Sequence, residues 1–350
     1  MEEKKKRVLI TTNEPSPYMD IWFKEINKHF ELCVIYDFLV HPLHPWKDTD
    51  YYPGEMYGNL SVVDIFKRVR NSDFVLVGGW LKPKFFLTII CAMLQGKKVA
   101  MFTDHPFHPN KYAVLIKKYF LYRKLSYIFC ATMRTCEHVT SKYGVDQDKV
   151  IFFPYGIDTN VPFAKVKPHE GINILIASNF YYRKGYSVLF DALGMLDQCE
   201  DKGKYHIKIV GIGEEFDYYM NLAHHLALDI ELLGWVEKKE YCRLMKKTDV
   251  YIHPSIEEPF GIPPVDAMCM GKVVILCDGV MSLNGIIKHG VNGYRYPSPT
   301  SDGKAAEKLY DLLRCLDKSK FEEIGRNGRN DVVRIFSVSQ SVERLRKIVN

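Results

Sequence analysis

Short apolar runs alternate with amphipathic helical patterns along almost the whole chain, and this alternation is the feature that most constrains the fold. One run, Arg7–Thr12, and a later one, Ile172–Ala177, each begin a new series of alternating strands and helices. Such a series forms a parallel sheet with helices on both faces. We therefore expect an α/β chain with two Rossmann-like, doubly wound domains that face a cleft. Ligands should bind at the carboxyl ends of the strands.

Chain length and the composition of one linker-like stretch indicate the domain boundaries. The chain has 350 residues, which is ordinary for two domains that each bury a core. The stretch 162–171 contains two prolines and three lysines or histidines, which is typical of a linker. This predicts an N-terminal domain over 1–161 and a C-terminal domain over 172–336. A last helix, within 337–350, is expected to pack back on the N-terminal domain.

Composition limits the class of protein. The net charge of +6 is mild, so it permits an anionic partner without indicating nucleic acid. The nine cysteines form no Cys-x-x-Cys pair, which favours reduced thiols. The N-terminus lacks a signal-peptide pattern, and the longest apolar stretch, 85–94, is too short to span a bilayer. We therefore expect a cytoplasmic protein that binds no nucleic acid.

The most informative stretch is 253–271, which lies between two strand patterns. It carries two acidic residues, Glu258 and Asp266. A proline pair at 263–264 opens a helix there, because proline suits the first helical turn, and Gly271 is predicted to cap its end. A helix N-terminus attracts phosphate, whereas a carboxylate beside it suits sugar hydroxyls. The stretch therefore predicts a nucleotide-sugar site.

Residues 258–266, Glu-Pro-Phe-Gly-Ile-Pro-Pro-Val-Asp, resemble the Glu-x7-Glu signature of retaining glycosyltransferases with the GT-B fold, of the family 4 type. The resemblance covers the C-terminal half of the chain, whereas the N-terminal half matches only in its layout. Further matching segments in the family's order are Arg183-Lys184-Gly185, Gly211-Ile-Gly213, Gly234-Trp-Val236, Asp249–Ser255 and His289–Gly293.

The resemblance implies a donor site in the C-terminal domain. Glu258 would accept hydrogen bonds from the donor sugar, Lys184 would bind the donor diphosphate and stabilise the leaving group, and Asp266 would accept from the ribose. Asp266 departs from the family, which has glutamate there, and Asn179 stands where the family has arginine. The other implied donor contacts are Arg183, Gly211, Gly213, Gly234, Trp235, Val236, Phe260, Gly261 and Ile262.

The N-terminal half offers candidates for the acceptor side. His105 ends a predicted strand, and the resemblance implies a catalytic position near the transferred sugar, although a structural turn is the alternative. Tyr18, Gly79 and Trp80 follow other strands and are predicted acceptor contacts. The Trp80 indole suits stacking on a sugar but equally suits a core.

No metal or other cofactor is expected besides the nucleoside-diphosphate sugar. The pairs His41/His44 and His105/His108 lack a third ligand at typical spacing. An Asp-x-Asp at 48–50 lies outside the expected site. The basic, aromatic stretch 110–127 is predicted to be a helix that either rests on an anionic membrane surface or covers a core with a solvated face.

Together these features predict a retaining hexosyltransferase that moves a hexose from a nucleotide sugar to a glycan, lipid or protein-linked acceptor. An epimerase or phosphorylase of the same fold stays an alternative, as does a catalytically weak sugar-binding module. A simpler alternative is that Glu258 and Asp266 only cap their helix. The short Gly211-Ile-Gly213 disfavours a nicotinamide oxidoreductase, because it is not a full dinucleotide fingerprint.

Overall fold

The computed structural model describes residues 5–38, 51–105, 111–164, 168–299 and 304–350. The chain forms two compact units. The first is Met1–Asp158 with Phe336–Asn350, and the second is Thr159–Ile335. Within the described ranges, no helix is long and apolar enough to cross a membrane.

The first unit is built on a seven-stranded parallel sheet in the order β3-β2-β1-β4-β5-β6-β7. Its strands are β1 (Arg7–Thr12), β2 (Glu31–Tyr36), β3 (Glu55–Met56), β4 (Phe74–Val77), β5 (Lys98–Thr103), β6 (Tyr127–Cys130) and β7 (Val150–Phe152). Its helices up to this point are α1 (Pro17–His29), α2 (Val62–Arg70), α3 (Pro83–Leu94), α4 (Lys111–Ile116), α5 (Tyr122–Lys124) and α6 (Met133–Tyr143).

Helices cover both faces of this sheet because successive strand residues point to opposite sides. In β1, Val8 and Ile10 pack with Trp22 of α1 in one apolar cluster. Leu9, between them, packs with Ile65 of α2 in another cluster. The two-sided core explains why the strands read as continuous apolar runs.

The second unit is built on a six-stranded parallel sheet in the order β10-β9-β8-β11-β12-β13. Its strands are β8 (Ile172–Ala177), β9 (Tyr205–Val210), β10 (Asp229–Leu232), β11 (Val250–His253), β12 (Val273–Cys277) and β13 (Tyr294–Tyr296). Its helices are α7 (Tyr186–Asp197), α8 (Phe216–His224), α9 (Lys238–Lys247), α10 (Ile262–Cys269), α11 (Lys304–Arg314) and α12 (Phe321–Phe336). The strand order reverses between β8 and β11, which is where such sheets bind ligands.

The last helix, α13 (Val338–Val349), belongs to the first unit. Ser337 caps its N-terminus and accepts from the Gln340 amide at 3.4 Å. Val342 and Leu345 pack in the same cluster as Trp22 of α1. The two parallel sheets confirm the predicted α/β class with two Rossmann-like domains.

Two edge strands and the end of one helix differ from the sequence prediction. The edge strands β3 and β13 were not predicted. They have only two and three residues, which is too few to show an alternating pattern. The helix predicted over 110–127 is confirmed over 111–124, where α4, a π-helical turn over Lys117–Leu121 and α5 follow one another without a break. It stops at Lys124 because Leu125 turns to extended backbone and is buried.

Gly271 caps α10 as predicted. Its φ of +77° is left-handed, which favours glycine. The Gly271 amide donates to the Met268 carbonyl and the Lys272 amide to the Ala267 carbonyl, each at 2.9 Å, which is a Schellman motif. A Cβ on Gly271 would lie 2.2 Å from the Phe163 ring.

We expect Gly271→Ala to lower the free energy of unfolding by about 2–3 kcal/mol, because left-handed strain adds to the steric conflict with Phe163. The matched control is Gly290→Ala. Gly290 also has a positive φ, of +75°, but a Cβ there meets no atom within 4 Å. It should cost about 1 kcal/mol, from strain alone. Urea unfolding measures both, and equal losses would contradict the steric argument.

Candidate functional site

Glu258 lies in the loop between β11 and α10, and its backbone is held from both sides. Its amide donates to the Gly279 carbonyl at 3.1 Å, and its carbonyl accepts from the Met281 amide at 3.0 Å. These bonds form a short parallel bridge with Val280. The carboxylate is therefore presented from a loop whose position is set by the segment 279–281, just after β12.

Lys184 reaches the same point from the loop that follows β8. Its ammonium donates to Glu258 Oε2, and the two side chains are only 12% and 13% exposed. Gly185, with φ of +70°, lets the two loops touch, since a Cβ there would lie 2.2 Å from the Pro254 carbonyl oxygen. The structure thus brings together two predicted catalytic residues that lie 74 positions apart in the chain.

Arg183 adds a weaker contact at the edge. Its guanidinium is 3.9 Å from Glu258 Oε1 and its side chain is 47% exposed. It also donates to the Glu257 carbonyl at 3.2 Å, while the Ile256 amide donates back to the Arg183 carbonyl at 3.0 Å. Because solvent screens an exposed pair, Arg183 mainly joins the two loops.

A buried polar network lies behind Glu258, and the sequence analysis assigned no role to its residues, although they lie in the matching segment Asp249–Ser255. His253 Nε2 is 3.4 Å from Glu258 Oε2 and 3.2 Å from Ser255 Oγ. On the other side of the ring, His253 Nδ1 is 3.2 Å from the Tyr251 hydroxyl, which donates to the Ala177 carbonyl at 3.1 Å. The available signal was a histidine and a serine at the end of an otherwise apolar strand.

The electrostatics keep Glu258 ionised. Burial alone would raise the pKa of Glu258, but the hydrogen bond from His253 and the charge of Lys184 outweigh it and lower that pKa to about 2. Burial lowers the pKa of Lys184 although the Glu258 charge opposes it. Burial likewise lowers the pKa of His253, so its imidazole is neutral at pH 7. We take Lys184 and Glu258 as a charged pair, because the carboxylate holds its charge far below pH 7.

Glycines bring the neighbouring loops within backbone contact. A Cβ on Gly211 would lie 2.0 Å from the Ser178 carbonyl oxygen, and one on Gly213 would lie 2.3 Å from that of Phe180. The α-carbon of Asn179 is in the same contact, 3.2 Å from the Cβ position of Gly211. The Gly211 amide donates to the Gly234 carbonyl at 2.9 Å. The predicted donor residues after β8, β9 and β10 therefore lie side by side.

The remaining predicted donor residues surround this edge of the sheet. Trp235 and Val236 are half-buried just after β10, Phe260 is buried, and Ile262 is half-buried at the first position of α10. Since the next two residues are prolines without an N–H, the Ile262 amide is the donor that this first turn offers.

Asp266 was predicted in the first turn of α10, and that position is wrong. The helix begins at Ile262, so Asp266 is its fifth residue, and its first turn holds no acidic residue. Gly261, with φ of +83°, occupies the N-cap position, and no side chain caps the helix. The alternative in which Glu258 and Asp266 only cap α10 is therefore wrong.

His105 lies in the first unit, half-buried, two residues after β5. The adjacent Asp104 has a structural role, since its Oδ2 accepts from the Tyr155 hydroxyl at 3.1 Å and its carbonyl accepts from Thr135 Oγ1 at 3.3 Å. Burial and the Asp104 charge raise the pKa of Tyr155. The turn that carries His105 is therefore anchored, and its catalytic role stays a prediction.

The predicted acceptor residues Gly79 and Trp80 follow β4, as expected from the sequence. Gly79 has a φ of +150° and Trp80 is half-buried, with part of its ring in the core. Tyr18 was predicted in a loop, but it is the second residue of α1, whose N-cap Ser16 accepts from the Met19 amide at 3.3 Å. Its place in the helix follows from that cap.

The possible metal motifs cannot be placed, because His41, His44, His108 and the Asp-x-Asp at 48–50 lie outside the described residues. Among the residues that are described, no group of three or more His, Cys, Asp or Glu is arranged to hold a metal ion.

Comparison with known proteins places this site in a family. The family model of glycosyl transferases group 1 matches residues 158–331. An uncharacterized glycosyltransferase of Methanocaldococcus jannaschii is 29% identical over 217 residues, which cover 57% of this chain and 54% of that protein. A phosphatidyl-myo-inositol mannosyltransferase of Mycobacterium leprae is 32% identical over 166 residues, 47% of this chain and 39% of that protein. The chain spans about half the length of these curated relatives.

The fold agrees with these likenesses. The structure of Anabaena HepE, in complex with UDP and glucose, superposes with a TM-score of 0.74 over 98% of this chain and 99% of that one, at 17% identity. The fold and the family match together define the class as glycosyltransferases with the GT-B fold. Within that class, residues 158–331 belong to the group 1 glycosyltransferases, which confirms the predicted family. The narrower assignment to family 4 stays a prediction.

We expect His253 to make the protein less stable in mild acid. Its pKa is lowered in the folded state from an ordinary 6.5, so below that pH the unfolded chain binds the proton more readily. Stability present above pH 6.5 should therefore fall with decreasing pH, by up to about 1.4 kcal/mol per pH unit. His253→Gln should remove this part of the slope.

Urea unfolding between pH 7.5 and 5.5 measures the difference. His224→Gln is the matched control, because His224 is exposed in the same unit. A pH slope for His253→Gln equal to that of the wild type would show that the prediction is wrong.

Proposed function

We propose that the chain transfers a hexose, with retention, from a nucleoside-diphosphate sugar to an acceptor hydroxyl. The observation that carries this proposal is the buried Lys184–Glu258 pair at the point where the strand order reverses. A cation and a permanent anion side by side suit a donor with a diphosphate at one end and sugar hydroxyls at the other.

Glu258 would act as a hydrogen-bond acceptor rather than as a base. A carboxyl with a pKa of about 2 stays ionised at neutral pH and takes up a proton only weakly. It is well suited to accept hydrogen bonds from sugar hydroxyls. This supports a mechanism in which the proton of the acceptor goes elsewhere.

Lys184 and the N-terminus of α10 would bind the diphosphate. A charge-assisted hydrogen bond from an ammonium and the partial positive charge of a helix N-terminus both stabilise developing negative charge. Gly211 and Gly213 have no side chains and lie close to the neighbouring loop. At these two positions a ligand would therefore meet backbone rather than side chains. We propose that this set replaces a metal ion.

In the proposed step the acceptor oxygen bonds to the anomeric carbon on the face from which the diphosphate departs. The bond between that carbon and the phosphate oxygen breaks, and the acceptor proton passes to the departing diphosphate. Retention follows because attack and departure share one face. Holding the reactants in this arrangement supplies much of the rate.

The proposed donor is a UDP sugar, since HepE, a protein of the same fold, has been solved with UDP and glucose. The M. leprae relative is a mannosyltransferase by name, so GDP-mannose is the second donor to test.

We expect UDP-glucose to bind the wild type and to bind at least about tenfold more weakly to Lys184→Met, which loses a charge-assisted hydrogen bond. UDP without a sugar should also bind Lys184→Met weakly. Glu258→Gln should weaken the binding of UDP-glucose more than the binding of UDP, because Glu258 faces the sugar in this proposal. Isothermal titration calorimetry measures all six affinities, of two ligands for three proteins.

Lys67→Met is a control, because Lys67 is exposed in the first unit. If Glu258→Gln weakened the binding of UDP and of UDP-glucose by the same factor relative to wild type, the role assigned to Glu258 would be contradicted. Product analysis by NMR separates transfer with retention from epimerisation, and unchanged donor hydrolysis in EDTA would support the metal-free proposal.

We also propose that the first unit contacts an anionic membrane surface from the cytoplasmic side. The stretch 111–124 exposes large apolar side chains along one side and carries Lys118, Arg123 and Lys124 among them. Basic and aromatic side chains together favour the interface of anionic lipids. All nine cysteines are free thiols, which supports a reducing compartment. The exposed apolar residues are Tyr112, Leu115, Ile116, Tyr119 and Phe120.

We expect the protein to sediment with vesicles that contain phosphatidylglycerol and less with pure phosphatidylcholine vesicles. Phe120→Ser should reduce binding several-fold, because Phe120 is 68% exposed and would insert. Phe66→Ser, at 40% exposed on α2, is the matched control. Binding that is indifferent to lipid charge and to Phe120 would contradict the proposal.

A further inference from the structure

Lys117 is a buried cation that the donor chemistry does not use. It lies at the start of the π-helical turn, and only 4% of its surface is exposed. Its ammonium is 5.8 Å from the centre of the Trp80 ring and 6.0 Å from that of Tyr143. In the part of the chain that the structure describes, no carboxylate lies within ion-pair distance of it. Burial therefore lowers the pKa of Lys117 with no opposing negative charge.

The surroundings of Lys117 are positive as well. His138 lies on α6 with its ring 5.5 Å from that of Tyr143. Burial first, and then the charges of Lys142, Lys117 and Arg134, lower the pKa of His138. The whole stretch 105–136 contains no aspartate or glutamate. Glu137 follows directly on α6, but among the residues described it forms no ion pair with Lys117.

A buried ammonium without an anion destabilises the folded chain, and two aromatic rings compensate only in part. A π-helical turn inside a helix is a second costly feature, and such turns are frequent at functional sites. Both features lie beside Trp80, which follows β4 at the strand end where α/β sheets bind ligands. An anionic ligand would supply the charge that the protein lacks here.

We infer that Lys117 and Trp80 form an acceptor subsite, and that the acceptor of the transfer carries an anionic group, a phosphate or a carboxylate. The indole stacks on the acceptor sugar and the ammonium neutralises the anion beside it. This inference rests on the proposed function, because it names the class of acceptor. It is independent of the donor site, because every residue involved belongs to the first unit.

The test is direct binding of three sugars that differ only in charge: glucose 6-phosphate, glucuronate and glucose. Calorimetry is performed in the Lys184→Met background, which removes the lysine proposed to bind donor phosphate. We expect an anionic sugar to bind more tightly than glucose. Lys117→Met should lower the affinity for that anionic sugar at least about tenfold and leave the affinity for glucose unchanged. Lys67→Met is the control for loss of one positive charge.

The two anions identify the source of the charge. Preference for glucose 6-phosphate supports a phosphorylated acceptor, and preference for glucuronate supports a uronic acid. Thermal unfolding gives a second readout, because removing an uncompensated buried charge should leave the melting temperature of Lys117→Met equal or higher. A lower melting temperature together with unchanged affinity for the anionic sugar would show that Lys117 is structural and would overturn the inference.

Equal binding of all three sugars, or no binding of either anion, would also overturn it. These titrations contain no nucleotide sugar. The UDP titrations of the wild type and of Lys184→Met are separate, so a failure of the proposed donor site and a failure of the anionic subsite give different results.

Discussion

The ion pair of Lys184 and Glu258 is the interaction on which the second unit's site depends. It joins the loops that follow β8 and β11, the two strands at which the sheet order reverses. Each charge is nearly buried, so removing one partner would leave the other unpaired in a medium of low polarity, which is strongly unfavourable. The hydrogen bond from His253 adds to this pair from the side of the core. The site is thereby preorganised, which suits the ligand that we propose, one with both a diphosphate and hydroxyl groups.

Glycine makes this arrangement possible. Gly185 and Gly211 stand where a Cβ would overlap a carbonyl oxygen of the neighbouring loop. Gly261 turns the chain with a positive φ just before α10, so the helix begins beside Glu258. A side chain in place of Gly185 would push apart the loops that carry Lys184 and Glu258, and with them the charges. The glycines therefore matter for the electrostatics of the site as much as for its shape.

The two units differ in how their chemistry is organised. The second unit concentrates predicted donor residues at one edge of a sheet, and its charges are paired. The first unit holds a cation, Lys117, among aromatic rings and other basic groups without a negative partner in the residues described. A paired site is stable before its ligand arrives, whereas an unpaired cation is stabilised by a ligand of opposite charge. This contrast supports the separate roles that we propose for donor and acceptor recognition.

The sequence by itself determined the α/β class, most of the strands and helices and the Gly271 cap, and through a family resemblance it predicted donor roles for Lys184 and Glu258. These follow from local signals, since apolar periodicity and turn residues act over a few positions. Only the tertiary structure decided that Lys184 pairs with Glu258 across 74 positions, that His253 supports them, and that Lys117 is buried. It also showed that Asp266 lies one turn deeper in its helix than expected. The physical reason is that contacts between loops depend on which strands become neighbours, and that order is set by packing of the whole sheet rather than by any local pattern.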